Sequence, residues 1–506
     1  MKSLARVIRE RIFLTFVVIW AGISMASVAW AMATPMGASP DEPAHIVKAA
    51  SVVRGQFIGD STDQPAVTTV MVPEGLADSR AWACYAFQAN QTAGCQPPFV
   101  SNDKLVPART SAGMYNPVYY AVVGWPSVLT DNPRVAVYGM RTISAILSSF
   151  FFAVAMTAML AFRRPLIAGF ATIAIITPMV LFLMGSVNPN ALEISAGAAL
   201  LSLLLLLVRG PRIRHQRLAL VSLSAAGVLL ASSRGLSPAW MLMIAVVAII
   251  AAPWPRLREL LRLPRVWASL ATMGAGVLFA TWWILQTSTL SKMGSFAGSE
   301  ISPAKAFVTM LVDRSFDPGL IGVFGWLDTL SPTVVYAIWS FLAVSIVVAA
   351  FIVGRGRPLV ALAVSFAGFM LLPAAFQAVS ISNSGYIWQG RYTLIAYACA
   401  IVMAFVTLAA APSNMVVLPR QNAMRGTLIV GGLAIAAHAF ALVWVIKRYA
   451  VGVGGSWGSF IKIPQWAPPG GTVPWLLAVT VGMALVVFVW SAWSVRSPEK
   501  VPALTN

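Results

Sequence analysis

Where the chain leaves its first apolar run it reads "SPDEPAH", residues 39 to 45. A carboxylate held partly out of water and near a cation can take a proton from a hydroxyl, so Asp41 and Glu42 are candidate general bases. A helix beginning at Pro40 would carry Asp41 and His45, four residues apart, on one face. The same letters also have a structural reading, with Ser39 as N-cap, Pro40 as first helical residue and Glu42 as reciprocal partner in a capping box. That reading uses Glu42 and leaves Asp41 and His45 over. A divalent metal on Asp41, Glu42 and His45 is a third reading, which the spacing does not select.

Four further stretches place polar groups at the ends of apolar runs: "GSVNPNALEIS" with Asn188, Asn190 and Glu193, "SSRGLSP" with Arg234, "FDPGLIGVFGWLDTLSP" with Trp326 and Asp328, and "SNSGYIWQGRY" with Gln389, Arg391 and Tyr392. Singly, each has a structural explanation: Asn188 before Pro189 suits a helix start, arginines can snorkel, and tryptophans anchor at interfaces. Together they gather acids, amides and guanidinium groups beside spans that hold little charge. Arg141, Glu193 and His438 are the main exceptions, and ionisable groups near hydrocarbon are functional candidates by default. A guanidinium fork donates to phosphate oxygens in two places, so Arg234 and Arg391 suit a lipid phosphate.

The elements that must position these residues are membrane spans. The chain is 58% hydrophobic and 10% charged, with a mean hydropathy of +0.79, and its apolar runs of about 20 residues are long enough to cross a bilayer. The expected fold is an all-α integral membrane bundle of twelve spans, at 13–33, 135–162, 166–185, 190–208, 218–233, 236–252, 266–285, 332–353, 358–379, 393–411, 427–446 and 473–494, with structured outer loops. The first has the basic start and "AWAMA" end of a signal sequence, but its length reads as a retained anchor.

Orientation follows from the basic residues. With both termini cytoplasmic, the inner segments hold 20 of the 35 Lys and Arg and 3 of the 16 Asp and Glu. The net charge of +19 is then a signature of topology, with no nucleic-acid partner required. Inner loops are short, whereas 34–134, 286–331, 380–392 and 447–472 lie outside. There is no Walker loop and no cytoplasmic domain for a nucleotide, so any chemistry takes place on the outer face. Cys84 and Cys95 fall in the first outer loop, where an oxidising compartment would allow a disulfide; two unpaired thiols are the alternative. Cys399 lies in a span.

"PDEPAH", "NPNA", "FGWLDT" and "QGRY" together resemble the signatures of the bacterial membrane-protein family of domain of unknown function 2142, over about residues 12 to 450. That family is similar in layout to the GT-C glycosyltransferases, which take sugars from polyprenyl-phosphate donors. The resemblance implies a GT-C-like catalytic region over 1–446, followed by an outer loop, the last span and a cytoplasmic tail over 447–506, in the cytoplasmic membrane of a bacterium. It points to Asp41, with Glu42 as second choice, as base or metal holder, and to Arg391 as donor-phosphate ligand beside Gln389 and Tyr392, with Arg234 assisting. His45, Asn188, Asn190, Glu193, Trp326 and Asp328 are accessory candidates. Two positions depart from the family pattern: relatives often carry an acid at the position of Asn190 and a lysine near that of Arg234. The implied partners are a lipid-linked sugar donor, an envelope glycan, lipid or protein acceptor, and the bilayer. No cofactor is required, and a divalent metal is compatible. Trp326, Trp388, Trp457 and Trp466 are expected sugar platforms. The competing expectation is a flippase or exporter of a lipid-linked sugar, which would use the same groups without making a bond.

Overall fold

The computed structural model describes residues 11–64, 66–162, 164–288, 296–412 and 419–494. Most of the basic N-terminal segment, the C-terminal tail and parts of two loops read above lie outside them.

The chain forms α1 (Ile12–Ala33), α2 (Glu42–Val52), α3 (Pro117–Val123), α4 (Pro133–Leu160), α5 (Pro165–Ile175), α6 (Pro178–Met184), α7 (Asn190–Arg209), α8 (Gln216–Ala231) and α9 (Ser237–Ala251). It continues through α10 (Trp254–Leu261), α11 (Pro264–Thr287), α12 (Pro303–Asp313), α13 (Thr333–Val353), α14 (Gly356–Ser384), α15 (Leu394–Ala409), α16 (Arg420–Val451) and α17 (Thr472–Ser494). Among the described residues, nine helices are long and apolar enough to cross a membrane, and two bent pairs raise the number to eleven. The shorter α8 accounts for the remaining expected span. Burial separates the centre of the bundle from its rim: α7 is 94% buried over its most apolar stretch, whereas α11 and α13 are 28% buried. The latter two have the open apolar faces that lipid covers.

Two details fix how the bundle closes. α1 passes α17 at Gly22 and Gly482, where a methyl group on either glycine would meet the other's carbonyl oxygen at 2.7 or 2.5 Å; side-chain-free positions let the two backbones touch. The expected span 166–185 is not one helix: α5 and α6 meet at 65°. Pro178 removes a donor there, and other parts of the chain take up the freed groups. Trp339 Nε1 donates to the Ile173 carbonyl at 3.2 Å, Thr177 Oγ1 to the Leu320 carbonyl at 2.9 Å, and Met179 N to the Ile321 carbonyl at 2.8 Å.

Between α1 and α4 the chain builds a small cap on the loop-rich face. α2 packs against a three-stranded antiparallel sheet of β1 (Asp60–Ser61), β2 (Thr68–Pro73) and β3 (Leu105–Thr110). Its register pairs Thr68 with Thr110 and Pro73 with Leu105. Cys84 and Cys95 form a disulfide, so the free-thiol alternative falls. A short hairpin, β4 (Val323–Phe324) and β5 (Thr329–Leu330), carries "GWLD" at its turn.

Candidate functional site

Asp41 and Glu42 are adjacent, yet they face different surroundings. Asp41 takes a left-handed backbone conformation, φ 67°, which aspartate tolerates better than most residues. It precedes α2, whose first helical residue is Glu42 and whose N-cap makes no side-chain hydrogen bond. The expected capping box is therefore absent, and the Ser39 hydroxyl is buried without a partner. The carboxylate of Glu42 turns inward. It accepts from Arg141 Nε at 2.8 Å and Arg141 Nη2 at 2.6 Å, and its Oε1 also accepts from Val187 N at 2.9 Å. Both partners of this ion pair are fully buried. Arg141 also donates to the carbonyls of Ala31, Thr34 and Pro35. The Glu42–Arg141 pair therefore ties α1, α2 and α4 together, and with its oxygens occupied Glu42 is not placed to act as a base.

The Asp41 carboxylate, by contrast, is 49% exposed, while its partner Arg391 is 1% exposed. Arg391 Nη2 donates to Asp41 Oδ2 at 2.6 Å, and its Nη1 donates to the Pro40 carbonyl at 3.2 Å. The surrounding protein raises the Asp41 carboxyl, but the guanidinium of Arg391 outweighs it and holds the group below the ordinary carboxylate range. Arg391 sits in the tight turn Gly390–Thr393 that leads into α15. A side chain at Gly390 would press on the Asp317 side chain. The Nε of Arg391 and the Oε1 of Gln389 are buried without partners.

Tyr392 joins Arg391 to a second cation. Its hydroxyl accepts from Arg391 Nη2 at 3.1 Å, and the guanidinium of Arg234 lies 4.3 Å from its ring centre, a cation–π distance. Behind Arg234, its backbone N–H donates to Ser237 Oγ at 3.0 Å, and that hydroxyl donates to Glu193 Oε1 at 2.6 Å. A crevice no larger than a water molecule lies beside this cation, lined by Tyr115, Asn116, Arg234, Gly235, Trp283 and Ile284.

The other expected residues divide. Asn188, which precedes the Pro189 N-cap of α7, accepts at Oδ1 from Asn190 N at 3.0 Å, whereas both polar atoms of the Asn190 side chain are buried without partners. His45 lies near enough to the Asp41 carboxylate to be drawn upward by it, but its Nδ1 pairs with the Tyr120 hydroxyl at 2.7 Å, and burial outweighs that pull and pushes the imidazole down to about 3, so it is neutral at pH 7. With Glu42 bound to Arg141 and His45 to Tyr120, the trio does not form a shared ligand set, and no three His, Cys, Asp or Glu side chains converge among the described residues. Asp328 forms a buried ion pair with Arg448 at 2.9 Å. Trp388 is buried, its indole donating to Thr393 Oγ1 at 2.9 Å, which removes it as a platform. His438 packs edge-on against Trp339, with ring centres 4.8 Å apart. Tyr115, Tyr120 and Ser237 are not among the expected site residues, although Ser237 lies inside "SSRGLSP" and Tyr120 inside "NPVYY".

An apolar helical bundle with ionisable residues collected at one end defines a multi-pass membrane protein. The chain belongs to the predicted membrane protein family DUF2142, whose sequence pattern matches residues 25–401. The match takes in "PDEPAH", "NPNA", "FGWLDT" and "QGRY", and stops short of residue 450. Two solved structures are similar at 13% identity, each alignment covering 95% of this chain and 77% of the other: ArnT from Cupriavidus metallidurans in the apo state, TM-score 0.43, and the same protein bound to undecaprenyl phosphate, TM-score 0.41. No curated protein matches the chain.

Proposed function

We propose that this protein transfers a sugar from a polyprenyl-phosphate donor to a cell-envelope acceptor on the outer face of a bacterial membrane. The observation that carries the reading is the Asp41–Arg391 pair, a half-exposed carboxylate on a buried guanidinium, with the Arg234 cation across Tyr392. A lipid phosphate bound at Arg234 and Arg391 competes with Asp41 for Arg391 Nη2. Displacing Asp41 from its cation raises its basicity while the acceptor arrives. The acceptor hydroxyl then attacks the anomeric carbon and gives its proton to Asp41. The bond from that carbon to the phosphate oxygen breaks, and polyprenyl phosphate leaves with the electron pair. The leaving group is already an anion and needs cationic stabilisation, which preorganised guanidinium groups supply.

The test uses purified protein in lipid, radiolabelled polyprenyl-phosphate sugars and an envelope extract as acceptor. Native protein is expected to transfer label, and Asp41→Asn to bind donor without transfer. An active Asp41→Asn protein removes Asp41 as base. Donor binding without transfer by the native protein, with acceptor present, makes the protein an exporter or a binding subunit.

A further inference from the structure

Arg448, buried at the loop-rich end of α16, takes no part in the site above, yet it donates to two different segments. Its Nη1 reaches the Gln91 carbonyl at 2.6 Å, and its Nη2 reaches those of Tyr85 and Gln88 at 3.1 and 3.0 Å. The same guanidinium holds Asp328 Oδ2 at 2.9 Å and Thr329 Oγ1 at 3.1 Å. One side of it is the loop closed by the Cys84–Cys95 disulfide; the other is the β4–β5 turn. Further bonds from Val453 N to the Ala89 carbonyl and from Gly454 N to Asn90 Oδ1 brace the first loop.

What this bracing presents is an aromatic pair. Phe87 is 70% exposed with φ 60°, a conformation a bulky residue adopts only when its surroundings impose it. Leu327, next to Trp326 in the other loop, has φ 62°. The rings of Phe87 and Trp326 meet edge-to-face with centres 5.4 Å apart. A cation, a disulfide and two residues of left-handed backbone thus hold an apolar ring exposed on the surface of the protein. The Trp326 indole donates to the Gly37 carbonyl at 2.9 Å, four residues before Asp41. Four residues of chain reach at most about 14 Å, so the Gly37 carbonyl that Trp326 holds lies within that distance of Asp41.

We propose that Phe87 and Trp326 form a subsite for a neutral pyranose ring of the acceptor glycan. A pyranose carries a face of C–H groups that stacks on the electron-rich face of an aromatic ring, while its rim hydroxyls need amide partners, and Gln88 beside Phe87 exposes one. Residues 81–101 contain no Lys, Arg, Asp or Glu, which disfavours a charged headgroup or phosphate at this position. Naming the ring an acceptor rests on the transferase reading; the binding of carbohydrate here does not.

The experiment measures binding of end-labelled neutral oligosaccharides, released from the acceptor extract, to the full chain in lipid nanodiscs without donor. Native protein and Asp41→Asn are expected to bind alike, and Phe87→Gly to bind at least tenfold more weakly. Glycine suits φ 60°, so Phe87→Gly keeps or raises the melting temperature, and Phe87→Trp restores binding. Unchanged binding by Phe87→Gly, or no binding by native protein, overturns the subsite, as does a Phe87→Gly defect confined to insertion into lipid. Binding lost in Phe87→Gly, from a protein that transfers no sugar, keeps the subsite and removes the transferase reading.

Discussion

Asp41→Asn and Glu42→Gln are neighbouring, nearly isosteric changes whose expected costs in stability are unequal. Glutamine at 42 presents an amide N–H₂ where a carboxylate oxygen accepted, so at least one charge-assisted hydrogen bond is lost, worth about 1.5–3 kcal/mol. Arg141 is left fully buried and without its counter-ion, and breaking one side of a buried pair costs about 3–5 kcal/mol. Asparagine at 41 keeps an oxygen to accept from Arg391, tolerates the left-handed backbone as aspartate does, and removes charge from a side chain that is half in solvent. Partly exposed pairs contribute roughly 0–1 kcal/mol, so Asp41→Asn should fall near 1 kcal/mol. The assay heats solubilised native and variant protein in parallel and scores the monodisperse fraction by size exclusion. Glu42→Gln is expected to melt well below native protein and Asp41→Asn close to it. Equal losses would refute the division of the two carboxylates into one that holds the fold and one that serves the site.

Arg391→Lys keeps the charge but not the fork that spans Asp41, Pro40 and Tyr392, so affinity for a lipid-linked phosphate should fall at least tenfold in a flotation assay. Lys48 donates to the Phe57 and Gly113 carbonyls, both at 2.6 Å, and burial pushes its amine down to about 7. The unfolded chain then binds a proton that the folded chain releases, so stability rises with pH from about 7 towards the ordinary lysine value; Lys48→Met should flatten that part of a melting-temperature profile. Gly482→Val should prevent α1 from closing on α17, read as loss of the monodisperse species. Reduction of the Cys84–Cys95 disulfide, which closes a short loop, is expected to cost about 2–3 kcal/mol, seen as a lower melting temperature with dithiothreitol.

The expected spans correspond to helices or bent pairs because hydropathy reports the solvent around a segment, and a bilayer is a simple solvent. That Asp41 and Arg391 lie in one region, 350 residues apart, was legible only as far as both stand at span ends; that they form an ion pair was not. Pro178 could have signalled the break in the third span, but an apolar run hides a bend that other segments repair. The role of Glu42 was not legible, because its partner Arg141 stands inside a span and a sequence does not say which of two adjacent carboxylates will turn inward to meet it. The same holds for Arg448, whose partners are mostly backbone carbonyls that any residue supplies.

During synthesis, α5 and α6 leave the ribosome long before the segment that completes their junction. Thr177 and Leu320 are 143 residues apart, which at about 5–20 residues per second is roughly 7–30 s of translation. The junction lies 11 residues into the apolar run, about 17 Å deep by helical rise, where lipid offers no partner to a bare amide or hydroxyl. The nascent chain therefore carries an open polar seam through the delivery of α7 to α12, and residues 320 and 321 close it late. A chain truncated before residue 318 is expected to be degraded by membrane quality control even though its early helices are already inserted.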